Sequence, residues 1–70
     1  MKNQLEQLRV DKGITQQELA DLVGVSRQTI ISLERGRYNP SILLAYRLAK
    51  LFGLPIEEVF IFTEDEEYNG

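Results

Sequence analysis

Residues 15–37, TQQELADLVGVSRQTIISLERGR, contain two short helical segments separated by a glycine. Thr15 and Glu18 have the T-x-x-E spacing of a capping box, in which hydroxyl and carboxylate each satisfy a free backbone N–H. Gly24 ends the first segment, because glycine adopts the left-handed conformation without a steric penalty. Ser26 is a strong N-cap for the second segment. These signals predict two helices joined by a tight turn.

Apolar residues recur in both segments at the spacing of a helix face. The inward set comprises Leu19, Ala20, Leu22 and Val23 in the first segment and Ile30 and Leu33 in the second. Two short helices joined by a tight, glycine-containing turn make a helix-turn-helix. This geometry reads DNA when its second helix is exposed and polar on the outside.

The rest of the chain predicts three further helices around this pair. One covers residues 2–12, with Leu5 and Leu8 on one face. A fourth runs from about residue 42 to residue 52 and a short fifth over residues 56–60. The expected inward set of the fourth helix is Ile42, Ala45, Leu48, Ala49 and Phe52. We therefore predict an all-α fold, a compact bundle of about five short helices in which helices 2 and 3 form the helix-turn-helix.

Residues 59–63, VFIFT, have strand composition rather than helix composition. A helix would bury Val59 and Phe60 and expose Ile61 and Phe62. A strand would instead place Phe60 and Phe62 on one side. We expect the helix to end near Phe60 and to pass into a short extended segment, which could be a C-terminal β-strand at a dimer interface.

The 70-residue composition excludes several kinds of chemistry. The chain has no cysteine and no histidine, which removes thiolate chemistry, the commonest general base and the commonest metal ligand. We expect no enzyme activity, no metal, no cofactor and no small-molecule ligand. No stretch approaches the ~20 apolar residues that span a bilayer, so a cytoplasmic protein without membrane contact is expected. The predicted organisation is one DNA-binding domain, residues 1–63, and an acidic flexible tail, residues 64–70.

Charge is distributed unevenly along the chain. The net charge is -3, but residues 1–54 hold all eight basic and five acidic residues, whereas residues 55–70 hold six acidic residues and no base. The body is therefore mildly basic, and Arg27, Arg35 and Arg37 lie around the second helix of the motif. The global acidity does not argue against a nucleic-acid partner. The tail either aids solubility or is repelled by phosphate and so helps to orient the protein on DNA.

The outward face of the second motif helix suits the reading of base edges. At about 100° per residue, Ile30, Leu33 and Glu34 point inward. The outward and flanking residues are Arg27, Gln28, Thr29, Ile31, Ser32 and Arg35. Arginine can bond guanine and glutamine can bond adenine in bidentate fashion. An exposed polar face alone is ordinary, but its place after a capped helix and a glycine turn favours recognition. Ile31 either covers a thymine methyl or packs against the protein.

At these positions the chain resembles the small phage-repressor and Cro-like (XRE-type) helix-turn-helix regulators, and the resemblance extends through Phe60. The matching pattern is Gln16-x-x-Leu19-Ala20-x-x-x-Gly24-Val25-Ser26-x-x-x-Ile30-x-x-Leu33-Glu34-x-Gly36, followed by Asn39-Pro40-Ser41. The resemblance implies an all-α bundle that binds operator DNA as a dimer, with its third helix in the major groove. Ile31 departs from the family pattern, in which a small polar residue is common.

Carried over residue by residue, the resemblance implies three groups of site residues. The expected base contacts are Arg27, Gln28 and Ser32, with Thr29 and Ile31 beside them. The expected phosphate contacts are Gln16, Ser26, Arg35, Arg37 and Asn39. Arg9 and Glu34 are expected to form a structural ion pair that ties the reading helix to the first helix.

Exposed apolar residues near the C-terminus indicate an interface. The candidates are Leu51, Pro55, Ile61 and Phe62, with the alternative that Phe60 and Phe62 complete the core of a monomer. A dimer would separate two reading helices by about 34 Å, one turn of B-DNA. We expect a sequence-specific transcriptional regulator, a repressor, that binds a palindromic operator as a homodimer. The alternative is a protein-interaction module of the same fold, an antitoxin-like partner that acts through the apolar C-terminal segment.

Overall fold

Five helices make up the computed structural model, which describes residues 1–37 and 39–62. They are α1 (Leu5–Lys12), α2 (Gln16–Val23), α3 (Arg27–Glu34), α4 (Ile42–Phe52) and α5 (Ile56–Val59). The predicted all-α bundle is confirmed, with α2 and α3 packed against each other as the helix-turn-helix. The acidic tail, Thr63 and Tyr38 lie outside the described residues.

The predicted start and end signals of α2 and α3 are present. Glu18 N–H donates to Thr15 Oγ1 at 3.0 Å, and Thr15 N–H donates to Glu18 Oε1 at 2.9 Å, so both halves of the capping box form. Ser26 Oγ accepts from the backbone N–H of Thr29 at 3.1 Å. Gly24 takes φ +76°, the left-handed conformation that separates the two helices. The capping residues Thr15 and Ser26 and the turn residue Gly24 therefore have the roles that the sequence predicts.

The N-terminus differs from the prediction, because α1 begins at Leu5 rather than near residue 2. Residues 2–4 precede the helix and pair with the segment that starts at the end of α5. Gln4 N–H donates to Val59 O and Ile61 N–H donates to Lys2 O, both at 2.8 Å. The expected C-terminal extended segment thus forms, as a single antiparallel bridge between Asn3 and Phe60. Its partner in this bridge is the N-terminal segment of the same chain.

The core lies between the helices and is closed by residues from every element. Its fully buried side chains include Leu5, Leu19, Ile30, Leu33, Leu48, Val59 and Phe60. Phe60 therefore completes the core of the monomer, whereas Phe62 remains 48% exposed. In the extended segment that follows α5, Phe60 is thus buried in the core and Phe62 lies on the surface.

Leu22 and Ile42 are exposed, at 59% and 87%, although the sequence predicts that both point inward. The buried side chains of α4 are Leu44, Ala45, Leu48 and Ala49. Ile42 lies roughly 100° from the centre of that face at 100° per residue, and Leu22 is displaced by a similar angle on α2. Both therefore lie beside the apolar face of their helix and outside the core.

Among the described helices, none combines the length and the apolar character that crossing a bilayer requires. The longest is α4, and its 11 residues rise only about 16 Å.

Candidate nucleic-acid interface

The orientation of α3 is determined by what it buries. Ile30 and Leu33 are completely buried on its inner side. Arg27, Gln28 and Arg35 are exposed on the opposite side, and Thr29, Ile31 and Ser32 are half-buried at its margins. The helix thus presents two guanidinium groups and one amide to solvent. Ile31 is partly covered by the protein, which leaves part of its side chain available.

A charged cluster fastens this helix to α1 and α2. Arg9 Nε lies 2.7 Å from Glu34 Oε2, and Arg9 Nη2 donates to Glu34 Oε1 at 3.4 Å. Gln16 Nε2 donates to the same Oε1 at 3.1 Å. The Glu34 side chain is 4% exposed and that of Arg9 is 14% exposed. The structure therefore brings the expected partners Arg9 and Glu34 together and adds Gln16 to them.

Two of the expected phosphate contacts already have intramolecular partners. Gln16 uses one amide N–H on Glu34, which leaves its second N–H and its carbonyl oxygen for other partners. Ser26 Oγ caps α3 and also lies 2.9 Å from Thr29 Oγ1. Ser26 therefore has a structural role in the turn, whatever else it contacts.

The remaining polar candidates surround the C-terminal end of α3. Arg35 is the last residue before the turn at Gly36, and Arg37 follows it. Asn39 lies in the loop before α4, and all three side chains are exposed. They extend the positively charged edge beyond the helix itself.

An open cleft of about 310 Å³ runs along this edge. It is lined by Glu6, Gln16, Arg27, Ile31, Glu34 and Arg35. The cleft is therefore lined by Arg27 at the start of α3, Arg35 just after its end, the polar N-terminal end of α2, and two acidic residues. A phosphate group could reach both arginines there.

Sequence reasoning missed the residues that hold the C-terminal end of α3. Asn3 Nδ2 donates to Leu33 O at 2.7 Å, and Asn3 Oδ1 accepts from Leu5 N–H at 3.0 Å. The Met1 ammonium donates to Gly36 O at 2.9 Å. Asn3 therefore satisfies backbone groups at the start of α1 and the end of α3. A capping-type residue two positions before Leu5 was the available signal.

A second missed contact joins α4 to the motif. Arg47 Nη1 donates to the carbonyl oxygen of Val23 at 3.3 Å. This carbonyl belongs to the last turn of α2, where a cation also complements the helix dipole. Arg47 therefore contributes to the motif as a structural residue rather than as a free basic group.

The predicted interface residues are not equivalent. Leu51 is half-buried and packs against the core, whereas Pro55, Ile61 and Phe62 are exposed. Large apolar side chains that sequence reasoning did not select are exposed on α4, namely Ile42, Leu43 and Tyr46. An apolar groove of about 250 Å³ lies between the start of α4 and the C-terminal segment, lined by Met1, Asn39, Pro40, Ile42, Ala45, Ile56, Phe60 and Phe62. The exposed apolar surface thus centres on Ile42 and Phe62.

Residues 1–37 and 39–62 contain no group of three side chains that could hold a metal ion. The charged groups at the α3 edge are mainly guanidinium donors, which bind anions rather than cations. Guanidinium and amide groups are the donors that proteins use toward phosphate oxygens and base edges.

Comparison with known proteins identifies the same motif over the same residues. A helix-turn-helix family model matches residues 5–59. The chain is 52% identical over 66 residues to the HTH-type transcriptional regulator MJ0272 of Methanocaldococcus jannaschii, covering 94% of this chain and all of that protein. It is 33% identical over 67 residues to the cryptic phage CTXphi transcriptional repressor RstR of Vibrio cholerae, covering 96% of this chain and 58% of that protein.

A solved structure agrees with these matches. The restriction-modification controller protein C.AhdI of Aeromonas hydrophila superposes with a TM-score of 0.72 at 35% sequence identity. The superposition covers 81% of this chain and 86% of that protein. The similarity extends beyond the two helices of the motif to most of the bundle.

Proposed function

The chain belongs to the helix-turn-helix family of DNA-binding transcriptional regulators, which are not enzymes, and from this premise we propose that α3 enters the major groove of a specific DNA site. The observation that carries the proposal is the anchored orientation of α3. Ile30, Leu33 and the Glu34 cluster hold its inner side, and Arg27 and Gln28 are exposed at its N-terminal end. N-terminal residues of a recognition helix are those that reach base edges.

The proposed contacts divide into two classes. Arg27, Gln28 and Ser32 read bases, with Thr29 and Ile31 at the margins of the footprint. The phosphate contacts are Gln16, Ser26, Arg35, Arg37 and Asn39. Arg35 and Arg37 are exposed at the far end of α3, where they suit the sugar-phosphate backbone. For Ser26, the contact is proposed through groups other than the lone pair that caps α3.

We propose repression as the regulatory outcome. The similarity to the repressor RstR supports this direction. The protein would then act in the cytoplasm, on the nucleoid.

We further propose that the protein binds as a homodimer through the apolar groove at Ile42 and Phe62. Phe62 and Tyr46 are each about half exposed, so each would contribute ~100 Å² of apolar area to an interface. One groove wall includes Asn39, a proposed phosphate contact, so the proposed dimer surface adjoins the proposed DNA-binding edge. An isologous dimer of this kind predicts a palindromic operator, with α3 helices about 34 Å apart.

The first experiment is selection of bound duplexes from random DNA at a stated salt concentration. The proposal predicts enrichment of one palindromic sequence. Enrichment of a single half-site would contradict the dimer, and the absence of any enrichment would contradict sequence-specific binding. The last outcome would favour the alternative, a protein-interaction module.

A pair of arginine variants tests the division of roles. Arg27→Ala should cost ~1–3 kcal/mol at one base position and relax the preference there. Arg37→Ala should weaken binding to all sequences alike and reduce the salt dependence. Titrations of the selected duplex and of its single-base variants measure both effects. If the two substitutions weaken every duplex equally, the assignment of Arg27 to base reading is wrong.

Sedimentation equilibrium tests the dimer surface. Ile42→Ser and Phe62→Ser should each raise the dissociation constant of the dimer. Leu22→Ser is the matched control, because Leu22 is also exposed but does not line the groove. A monomer at all concentrations, with or without the selected duplex, would contradict the proposal, as would equal disruption by the control.

A further inference from the structure

Glu6 lies in the wall of the cleft that α3 presents to DNA. The cleft also contains Arg27 and Arg35 from α3 and the carboxylate of Glu34. Two guanidinium groups thus share a small open space with two carboxylates. The arginines are proposed DNA contacts. A nearby carboxylate weakens their attraction for phosphate unless another group compensates its negative charge.

The two carboxylates differ in how they are compensated. Glu34 is nearly buried and is bonded by Arg9 at 2.7 Å and by Gln16 at 3.1 Å. Glu6 is exposed, in the first turn of α1. Within residues 1–37 and 39–62, only Arg9 and Glu34 form an ion pair with a nitrogen–oxygen distance of 4.0 Å or less. The negative charge of Glu6 therefore acts on the space that Arg27 and Arg35 line.

A charge in this position opposes a DNA phosphate. Glu6, Arg27 and Arg35 line one cleft of about 310 Å³, and the Debye length at 0.1 M ionic strength is ~10 Å. A phosphate that approaches Arg35 therefore also meets the salt-dependent field of Glu6. Phosphate contacts carry no sequence information, so this repulsion applies to every DNA sequence.

We propose that Glu6 is a phosphate-repelling residue that lowers the sequence-independent affinity of the domain for DNA. The inference rests on the proposed function, since it concerns the same DNA-binding edge. When binding to the phosphate backbone of DNA is weak, a single domain needs base contacts and a second copy of the chain to remain bound. Glu6 thereby sets how much of the binding comes from the backbone.

The test is a graded charge series at position 6. Glu6→Gln should tighten binding to a random-sequence duplex about threefold to tenfold at 0.1 M salt, and Glu6→Lys should tighten it further. The slope of log K against log salt should steepen by up to about one unit. Fluorescence anisotropy of a labelled duplex at several salt concentrations measures both quantities, and thermal unfolding verifies that each variant is folded.

Glu57→Gln and Glu57→Lys are the matched controls. Glu57 is also exposed in the first turn of a helix, and it lines a separate cleft with Gln4 and Glu58. The controls should change affinity less than the Glu6 variants, although their change in net charge is the same. Equal effects at the two positions would overturn the inference and leave the proposed function intact. Failure of the unaltered protein to bind any duplex would overturn both.

A double substitution tests the route of the effect. In an Arg35→Gln background, Glu6→Gln should raise affinity by a smaller factor, because the phosphate that Glu6 repels is no longer drawn to that edge. An undiminished effect would overturn the assignment of Arg35 as the group that Glu6 opposes.

Discussion

Replacing Arg9 with methionine tests whether the buried cluster holds α3 in place. The substitution keeps an apolar stem but removes both hydrogen bonds to Glu34 and the bond from Nη1 to Ile14 O at 3.0 Å. Glu34, at 4% exposure, then keeps only the bond from Gln16. Breaking a buried pair by removing one partner costs ~3–5 kcal/mol. Since Arg9 is 14% exposed, we expect Arg9→Met to lower the free energy of unfolding by about 3 kcal/mol.

The assay is urea and thermal unfolding followed by circular dichroism. A loss of 1 kcal/mol lowers the Tm of a domain of this size by ~4–8 °C, so the expected decrease is about 12–24 °C. Lys12→Met is the matched control on the same helix and should cost less than about 1 kcal/mol. The double variant Arg9→Met with Glu34→Gln should be more stable than Arg9→Met alone, because it leaves no unpaired buried charge. A loss below 1 kcal/mol, or a double variant that is less stable still, would refute the reasoning.

Three further substitutions address the ends of the helices, each measured by the same unfolding assay. Gly36→Ala should cost about 1–2 kcal/mol, because φ is +70° and the new Cβ would lie 3.0 Å from Met1 O; an unchanged stability would contradict the left-handed conformation of residue 36. Asn3→Ala should cost about 1–3 kcal/mol, because the Leu5 N–H loses its side-chain acceptor and the Leu33 carbonyl keeps only the Gly36 N–H. Thr15→Ala should cost about 1 kcal/mol through loss of the capping box, and Thr15→Ser should restore most of it.

The Glu34 cluster links stability to recognition. Gln16 belongs to the first turn of α2, Arg9 to α1 and Glu34 to the last turn of α3, so one carboxylate joins three helices. The direction of the side chains proposed to read bases therefore depends on residues outside that proposed set. Weaker DNA binding by Arg9→Met, measured where the variant is still folded, would be the functional sign of this link.

Sequence reasoning succeeded where the relevant interactions are local. The capping box at Thr15, the N-cap at Ser26 and the turn at Gly24 each depend on atoms within a few residues. It failed for Leu22 and Ile42, because helical spacing defines a stripe without stating where the centre of the buried face lies. That centre depends on the neighbouring helices, which a periodic pattern does not contain.

The sequence by itself determined the five-helix bundle, the helix-turn-helix and the family, because caps, turns and apolar periodicity act over short separations along the chain. Only the tertiary structure decided that residues 2–4 pair with residues 59–61, that Asn3 supports the end of α3, and that Glu6 lines one cleft with Arg27 and Arg35. The backbone pairs and the Asn3–Leu33 hydrogen bond join groups 30 or more residues apart, and the cleft brings together residues of separate helices, so no local pattern specifies them. Their physical origin is the packing of the helices around one core, which brings distant polar groups within hydrogen-bonding or electrostatic range.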